Sequence, residues 1–239
     1  HYSRKNIGYL IAASKGAEII VETDDDNLPY HSFWQKRQLG DRTHILRSQG
    51  WVNIYKFYTE QTIWPRGFPL DEILKKAPDS NLPEIEYSKF YIQQGLADQN
   101  PDVDAIFRLT RVLPLKFKSN RTMAIGPGTW CPFNSQNTTW FKKVFPLLYL
   151  PSRCSFRMTD IWRSFVAQRI MGENHWPILF HGPTVWQERN NHDLIADFSD
   201  EISGYLNNGS ICKLLQKTKL QGGEKFLIPN LKTCYRALI

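Results

Sequence analysis

Three consecutive carboxylates, Asp24, Asp25 and Asp26, follow the run Ala17-Glu18-Ile19-Ile20-Val21-Glu22-Thr23. Crowded like charges call for a cation. A hard divalent ion takes oxygen ligands, keeps open positions, and bridges carboxylates to phosphate oxygens. The β-branched run has no helical stripe and reads as a buried strand. The carboxyl end of such a strand is where open α/β sheets bind ligands. From spacing alone, a solvated acidic turn is the better account of the triplet.

Four further sites carry usable chemistry. Arg66, in Trp64-Pro65-Arg66-Gly67-Phe68-Pro69-Leu70, offers a planar fork suited to phosphate or carboxylate. Asp102 and Asp104, in Asn100-Pro101-Asp102-Val103-Asp104-Ala105, could contact donor or acceptor hydroxyls, although Asx-turn chemistry explains them equally. Asp160 opens the clearest helix and could deprotonate a hydroxyl, while the same position would suit it as a plain cap. His192 stands in a polar loop, where a lone histidine is more often simply exposed. Trp130, Phe133 and Trp162 could stack on a sugar face or belong to the core.

The elements that must position these residues are partly legible. Ser3 can cap a helix from about Arg4 to Lys15, with Ile7, Leu10 and Ile11 on one face and Gly16 as its αL stop. Helix followed by strand suggests part of a parallel α/β sheet. Leu28 to Gly50 reads as connecting structure. Trp51 to Tyr55 alternates like a strand, and Pro65 and Pro69 then break the chain before a helix from Leu70 to Lys76. Tyr91 to Leu96 and Ala105 to Leu109 flank a turn, and Met123 to Asn137 is turn-rich. The Asp160 to Met171 helix, capped by Thr159, carries an apolar stripe of Ile161, Trp162, Phe165, Val166 and Ile170. Ile178 to Phe180 reads as a strand. Beyond Asn207 an Asn-Asn-Gly-Ser turn and Gly222-Gly223 loosen the pattern, which divides the chain into a main body, 1–206, and an extension, 207–239.

Composition narrows the class. At 239 residues and 41% hydrophobic, the chain can bury one substantial core. No run of 18 apolar residues is present, so no membrane span is expected within it. The charge of +7 comes from 30 basic and 23 acidic side chains. The basic residues are scattered in pairs such as Arg4/Lys5 and Lys142/Lys143 without a nucleic-acid-binding motif, so a solvated surface is expected and nucleic acid is not. An arginine near the acidic run, such as Arg4, could still serve phosphate. Cys131, Cys154, Cys212 and Cys234 lack zinc-site spacing. Sequons at Asn120, Asn137 and Asn208 fit a glycosylated luminal domain.

Read together, Arg4 to Leu10, Glu22 to Asn27, Trp64 to Leu70, Asn100 to Leu109, Pro132 to Asn137 and Phe156 to Arg163 resemble blocks of the STELLO-type glycosyltransferases of plants and nematodes, in the same order, from about His1 to Asp200. A more distant resemblance is to the reversibly glycosylated polypeptides, the UDP-arabinopyranose mutases. These share the Asp triplet, an Arg-Gly-aromatic-Pro block, a Pro-Asp-x-Asp-Ala block and an Asp-x-Trp block. The resemblance implies a GT-A fold, a mostly parallel sheet flanked by helices, here lacking its first βα unit. It also implies transfer of a hexose from a UDP-sugar to a glycan, with Mn²⁺ or Mg²⁺ held by Asp24, Asp26 and His192. Asp25, Arg66 and Arg4 would face the donor, and Asp160 would be the base, with Asp104 next. A mutase-type histidine would align with Gln187 rather than His192, and Arg66 with the arginine that is sugar-modified in the mutases. A Golgi lumenal location, anchored by a membrane segment outside this chain, is implied, with the cytoplasm as the alternative. The rival activities are a sugar-nucleotide mutase or self-glycosylating protein, and a non-catalytic scaffold for other glycosyltransferases.

Overall fold

In the computed structural model, which describes residues 2–75, 82–188 and 193–238, a 3₁₀ turn (Tyr2–Arg4) runs into helix α1 (Lys5–Ser14). Gly16, at φ 80°, turns the chain out of it in the left-handed region that glycine tolerates. The expected apolar face is reversed. Ile7, Leu10 and Ile11 point outward, while Tyr9 and Ala12 pack on the core. The polar contacts explain the rotation: Lys5 and Tyr9, one turn apart, reach Asp24 and Glu22. Arg4 rather than Ser3 is the N-cap, and its side chain makes no capping bond.

β1 (Ile19–Thr23) leads into the acidic turn, from which β2 (Asn27–Pro29) emerges. β3 (Gly40–Leu46) and the two-residue β4 (Gly50–Trp51) follow, and the strand expected to reach Tyr55 gives way at Ile54 to a short 3₁₀ turn. The expected helix from Leu70 begins as a 3₁₀ turn, Leu70–Glu72, and its end at Lys76 lies outside the described residues. β5 (Ile85–Lys89) and β6 (Ile92–Asp98) precede the short α2 (Ala105–Thr110). Then come β7 (Thr122–Ile125), β8 (Thr129–Trp130), β9 (Asn137–Phe141), helix α3 (Thr159–Glu173) and β10 (Ile178–Gln187). Helices α4 (Leu194–Lys217) and α5 (Leu227–Ala237) close the described chain.

The main sheet runs β1-β9-β6-β10-β7-β3-β5, with β2 added to the far end of β10. β6 and β10 are parallel, as are β3 and β7, and the other pairings in this sheet are antiparallel. The helix-flanked α/β sheet is GT-A-like, and it is mixed, with more antiparallel pairing than the resemblance implied. The strand before the triplet is an edge strand. Its alternation buries Ile20 and Glu22 and leaves their neighbours half-exposed.

Helix α3 is the central packing element. Ile161, Phe165, Val166 and Ile170 are buried, as the stripe predicted, against Trp51, Trp130 and the sheet. Thr159 is its first helical residue rather than its cap, and its hydroxyl bonds the Ser155 carbonyl. α4 runs unbroken through residues 206 and 207, so no structural break separates 207–239 there, and Asn207-Asn208-Gly209-Ser210 is helix rather than turn. The buried Asn208 accepts from Trp162 Nε1 at 2.9 Å and donates to Gly67 O at 2.9 Å, tying three segments together.

Candidate functional site

Asp24 leaves the end of β1 and begins a tight turn closed by Asn27 N to Asp24 O. Asp25 is at its exposed tip, and Asp26 returns toward β10, where Gln187 Nε2 donates to its Oδ1 at 2.6 Å. Asn27 fastens the turn from below through Thr23 Oγ1 and Gln136 O. Lys5 Nζ lies 2.9 Å from Asp24 Oδ1, and Tyr2 Oη also reaches that oxygen. Burial raises the Asp24 carboxyl to about 6, against the downward pull of Lys5.

Tyr2 Oη lies 2.5 Å from Ser135 Oγ. Ser135 in turn gives Asp160 Oδ2 two hydrogen bonds, from its backbone N–H at 3.1 Å and its hydroxyl at 3.3 Å. Asp160 then meets Arg66, with Nη1 on Oδ1 at 3.1 Å and Nη2 on Oδ2 at 3.0 Å. The far edge of the guanidinium is gripped by Asp102 through two bonds of 2.7 Å. Arg66 Nη1 also donates to the Arg157 carbonyl. Gly67 lets this loop lie against α3, because a Cβ there would collide with Ile161.

This arrangement holds Asp160 firmly in place. The residue is 2% exposed and both of its oxygens are engaged. Burial alone would raise its pKa, but Arg66 outweighs that and holds the carboxyl well below the usual range. The carboxylate is a buried, ion-paired anion. Arg66, 6% exposed, is likewise turned inward. Asp104 is fully buried as the N-cap of α2, accepting from Phe107 N at 2.7 Å and Trp64 Nε1 at 2.6 Å, with burial raising its pKa to about 6. Its bonds are those of a helix cap. Arg4 and Asp25 are exposed, and His192 lies outside the described residues. Trp130 and Phe133 are core, and Trp162 is half-buried.

Several residues that matter here were not singled out by sequence reading. Glu22, 4% exposed, receives Arg163 at 2.7 and 3.1 Å, Trp140 Nε1 at 2.9 Å and the Tyr9 hydroxyl. That pair fixes β1 and the base of the acidic turn to α3. The signal was present, since Glu22 falls two residues after Ile20 on the inward face of an alternating strand. Ser135, Tyr2 and Lys5 had no comparable signal, being joined only by folding.

No cluster of three His, Cys, Asp or Glu side chains stands ready for a metal among the described residues. The donor types nevertheless fit a hard divalent ion. Two carboxylates on one turn, with the Thr23 and Ser135 carbonyls nearby, are oxygen ligands that would leave positions for water and phosphate. Where a mutase-type histidine would align, Gln187 presents an amide to Asp26.

Comparison with known proteins bears out the resemblance to the STELLO-type glycosyltransferases. Residues 157–239 match the family model of the STELLO glycosyltransferases. Two proteins of Arabidopsis thaliana, described as probable glycosyltransferases STELLO2 and STELLO1, are each 28% identical over 233 residues, covering 90% of this chain. The chain is STELLO-like. It spans about 30% of the length of those relatives. The family-model match takes in all of α3, β10, α4 and α5.

Proposed function

We propose that this chain is the donor-handling part of a metal-dependent glycosyltransferase that moves a hexose from a UDP-sugar to a glycan. The observation that carries this reading is the convergence of the Asp24–Asp26 turn with the Asp160–Arg66–Asp102 layer through Tyr2 and Ser135. The names of the STELLO relatives support the reaction class.

In this reading Asp24 and Asp26 hold Mn²⁺ or Mg²⁺, with His192 as a further ligand. The ion would supply charge neutralisation for the departing diphosphate. Gln187 orients the Asp26 carboxylate by its 2.6 Å bond, and the Glu22–Arg163 pair keeps the turn from shifting against α3. Asp25 and Arg4, both exposed, face the donor. Arg66 and Asp160 act as positioning residues, holding Ser135 and hence Tyr2 against the turn. A glycan acceptor and other glycosyltransferases are the proposed partners, and the proposed location is the Golgi lumen, with a membrane anchor outside this chain.

The self-glycosylating alternative is less well served by the geometry. An arginine that accepts a sugar must expose a guanidinium nitrogen, whereas Arg66 is buried with two carboxylates on it. The decisive measurement is calorimetry of UDP-hexoses against the full-length protein with and without Mn²⁺. The Asp24→Ala/Asp26→Ala variant should lose Mn²⁺-dependent donor binding while its melting temperature stays close to wild type. Unchanged donor affinity in that variant refutes the site, and donor binding absent from the wild type points to the scaffold reading.

A further inference from the structure

We propose that the Lys5 ammonium occupies the cation position of the acidic turn, and that a divalent ion binds there only by displacing it. This rests on the metal-site reading above and adds a competitor to it. Four oxygens from three separate segments surround Lys5 Nζ: Asp24 Oδ1 at 2.9 Å, Tyr2 Oη at 3.1 Å, and the Thr23 and Ser135 carbonyls at 3.4 Å each. A carboxylate, two carbonyls and a hydroxyl are the ligand types a hard cation selects. The ring of Tyr2, 4.7 Å from Nζ, adds a cation–π contact.

The position of Lys5 has no helix-stabilising rationale. It is the first residue of α1, where the positive end of the helix dipole disfavours a cation, and no acidic residue occupies that first turn. Its reason for pointing inward is the oxygen cage. The side chain remains 27% exposed, and its flexible stem can carry the ammonium back to water or onto a phosphate oxygen when an ion takes its place. Exchange of this kind would keep metal affinity low until a diphosphate offers both cations a partner.

The test is Mn²⁺ binding without nucleotide, followed by the loss of the free Mn²⁺ paramagnetic resonance signal, on the full-length protein near neutral pH. Lys5→Met should bind Mn²⁺ about two- to fivefold tighter, as expected for removal of a partly exposed competing charge. Lys5→Arg, which keeps the charge, should stay near wild type, and Asp24→Asn added to Lys5→Met should abolish the gain. Equal affinity in Lys5→Met and wild type overturns the exchange but leaves the metal site standing. Failure of every form to bind Mn²⁺ overturns both. Should Lys5→Met not fold, Mg²⁺ titration of the wild type serves instead: the Lys5 ammonium NMR resonance should move as the ion binds, and an unmoved resonance overturns the proposal.

Discussion

Replacing Asp160 by Asn separates an anchored anion from a catalytic base. The carboxylate accepts Arg66 Nη1 and the Ile161 N–H on Oδ1, and Arg66 Nη2 with two Ser135 donors on Oδ2. An amide must place its NH₂ against one of these donor sets whichever way it is turned, so hydrogen bonds are lost along with the charge. Breaking a buried ion pair costs about 3–5 kcal/mol. Because Asp102 still holds Arg66 by two bonds, the lower end applies, near 3 kcal/mol. For a chain of this size that lowers the melting temperature by roughly 6–12 °C, readable by circular dichroism at neutral pH. In a double-mutant cycle with Arg66→Met, the two losses should be less than additive by about 1–3 kcal/mol. A variant that melts within about 2 °C of wild type yet loses turnover about a hundredfold would refute the anchor and restore Asp160 as the base.

Glu22→Gln should destabilise the fold by about 3 kcal/mol in urea titration, since it strands the fully buried Arg163; a loss below about 1 kcal/mol would contradict the pairing. Asp104 has a folded-state pKa raised by burial to about 6, so the native state binds more protons than the unfolded chain between about pH 4 and 6 and loses stability as pH rises through that window. Asp104→Asn, which cannot ionise, should therefore gain on wild type across that window by about 2–3 kcal/mol, and a flat difference would refute it. Among the three sequons only Asn120 is exposed, while Asn137 lies within β9 and Asn208 within α4. Expression through a eukaryotic secretory pathway should therefore add a glycan at Asn120 and none at the other two, as peptide mass spectrometry would show.

Features that depend on near neighbours were legible in the sequence. The α3 stripe, the Gly16 stop and the position of the triplet at a strand end all follow from local periodicity and turn chemistry. The face of α1 was misread because Ile7, Leu10 and Ile11 outvote Tyr9 and Ala12 in an apolar pattern, whereas the fold turns the helix by its polar anchors. Likewise Asn208-Gly209 reads as a turn until Trp162 and the Gly67 carbonyl are beside it, 46 and 141 residues away in sequence. The ion pair of Asp160 was not legible, because a carboxylate at a helix start looks the same whether or not an arginine from another loop covers it. The edge position of β1 was hidden too, since Ile-Ile-Val suits a central strand equally well.

The charge arrangement around α3 shows why the site would call for a cation. Asp160 and Arg163, three residues apart on one helix face, carry opposite charges and bind opposite partners, Arg66 and Glu22. The Glu22–Arg163 pair is neutral, so it fixes β1 without biasing the turn. The other layer is not neutral: one guanidinium serves two carboxylates, Asp102 and Asp160, and leaves an excess negative charge beneath the acidic turn. Both carboxylates push the Asp24 pKa upward, so their field reaches the turn. Lys5 answers Asp24 at 2.9 Å, while Asp25 and Asp26 add two more acids close by. Arg66 would leave no such excess had it a single partner. Pairing one buried arginine with two aspartates thus makes the floor of the turn rigid and keeps it electronegative, a combination suited to holding a cation against a diphosphate.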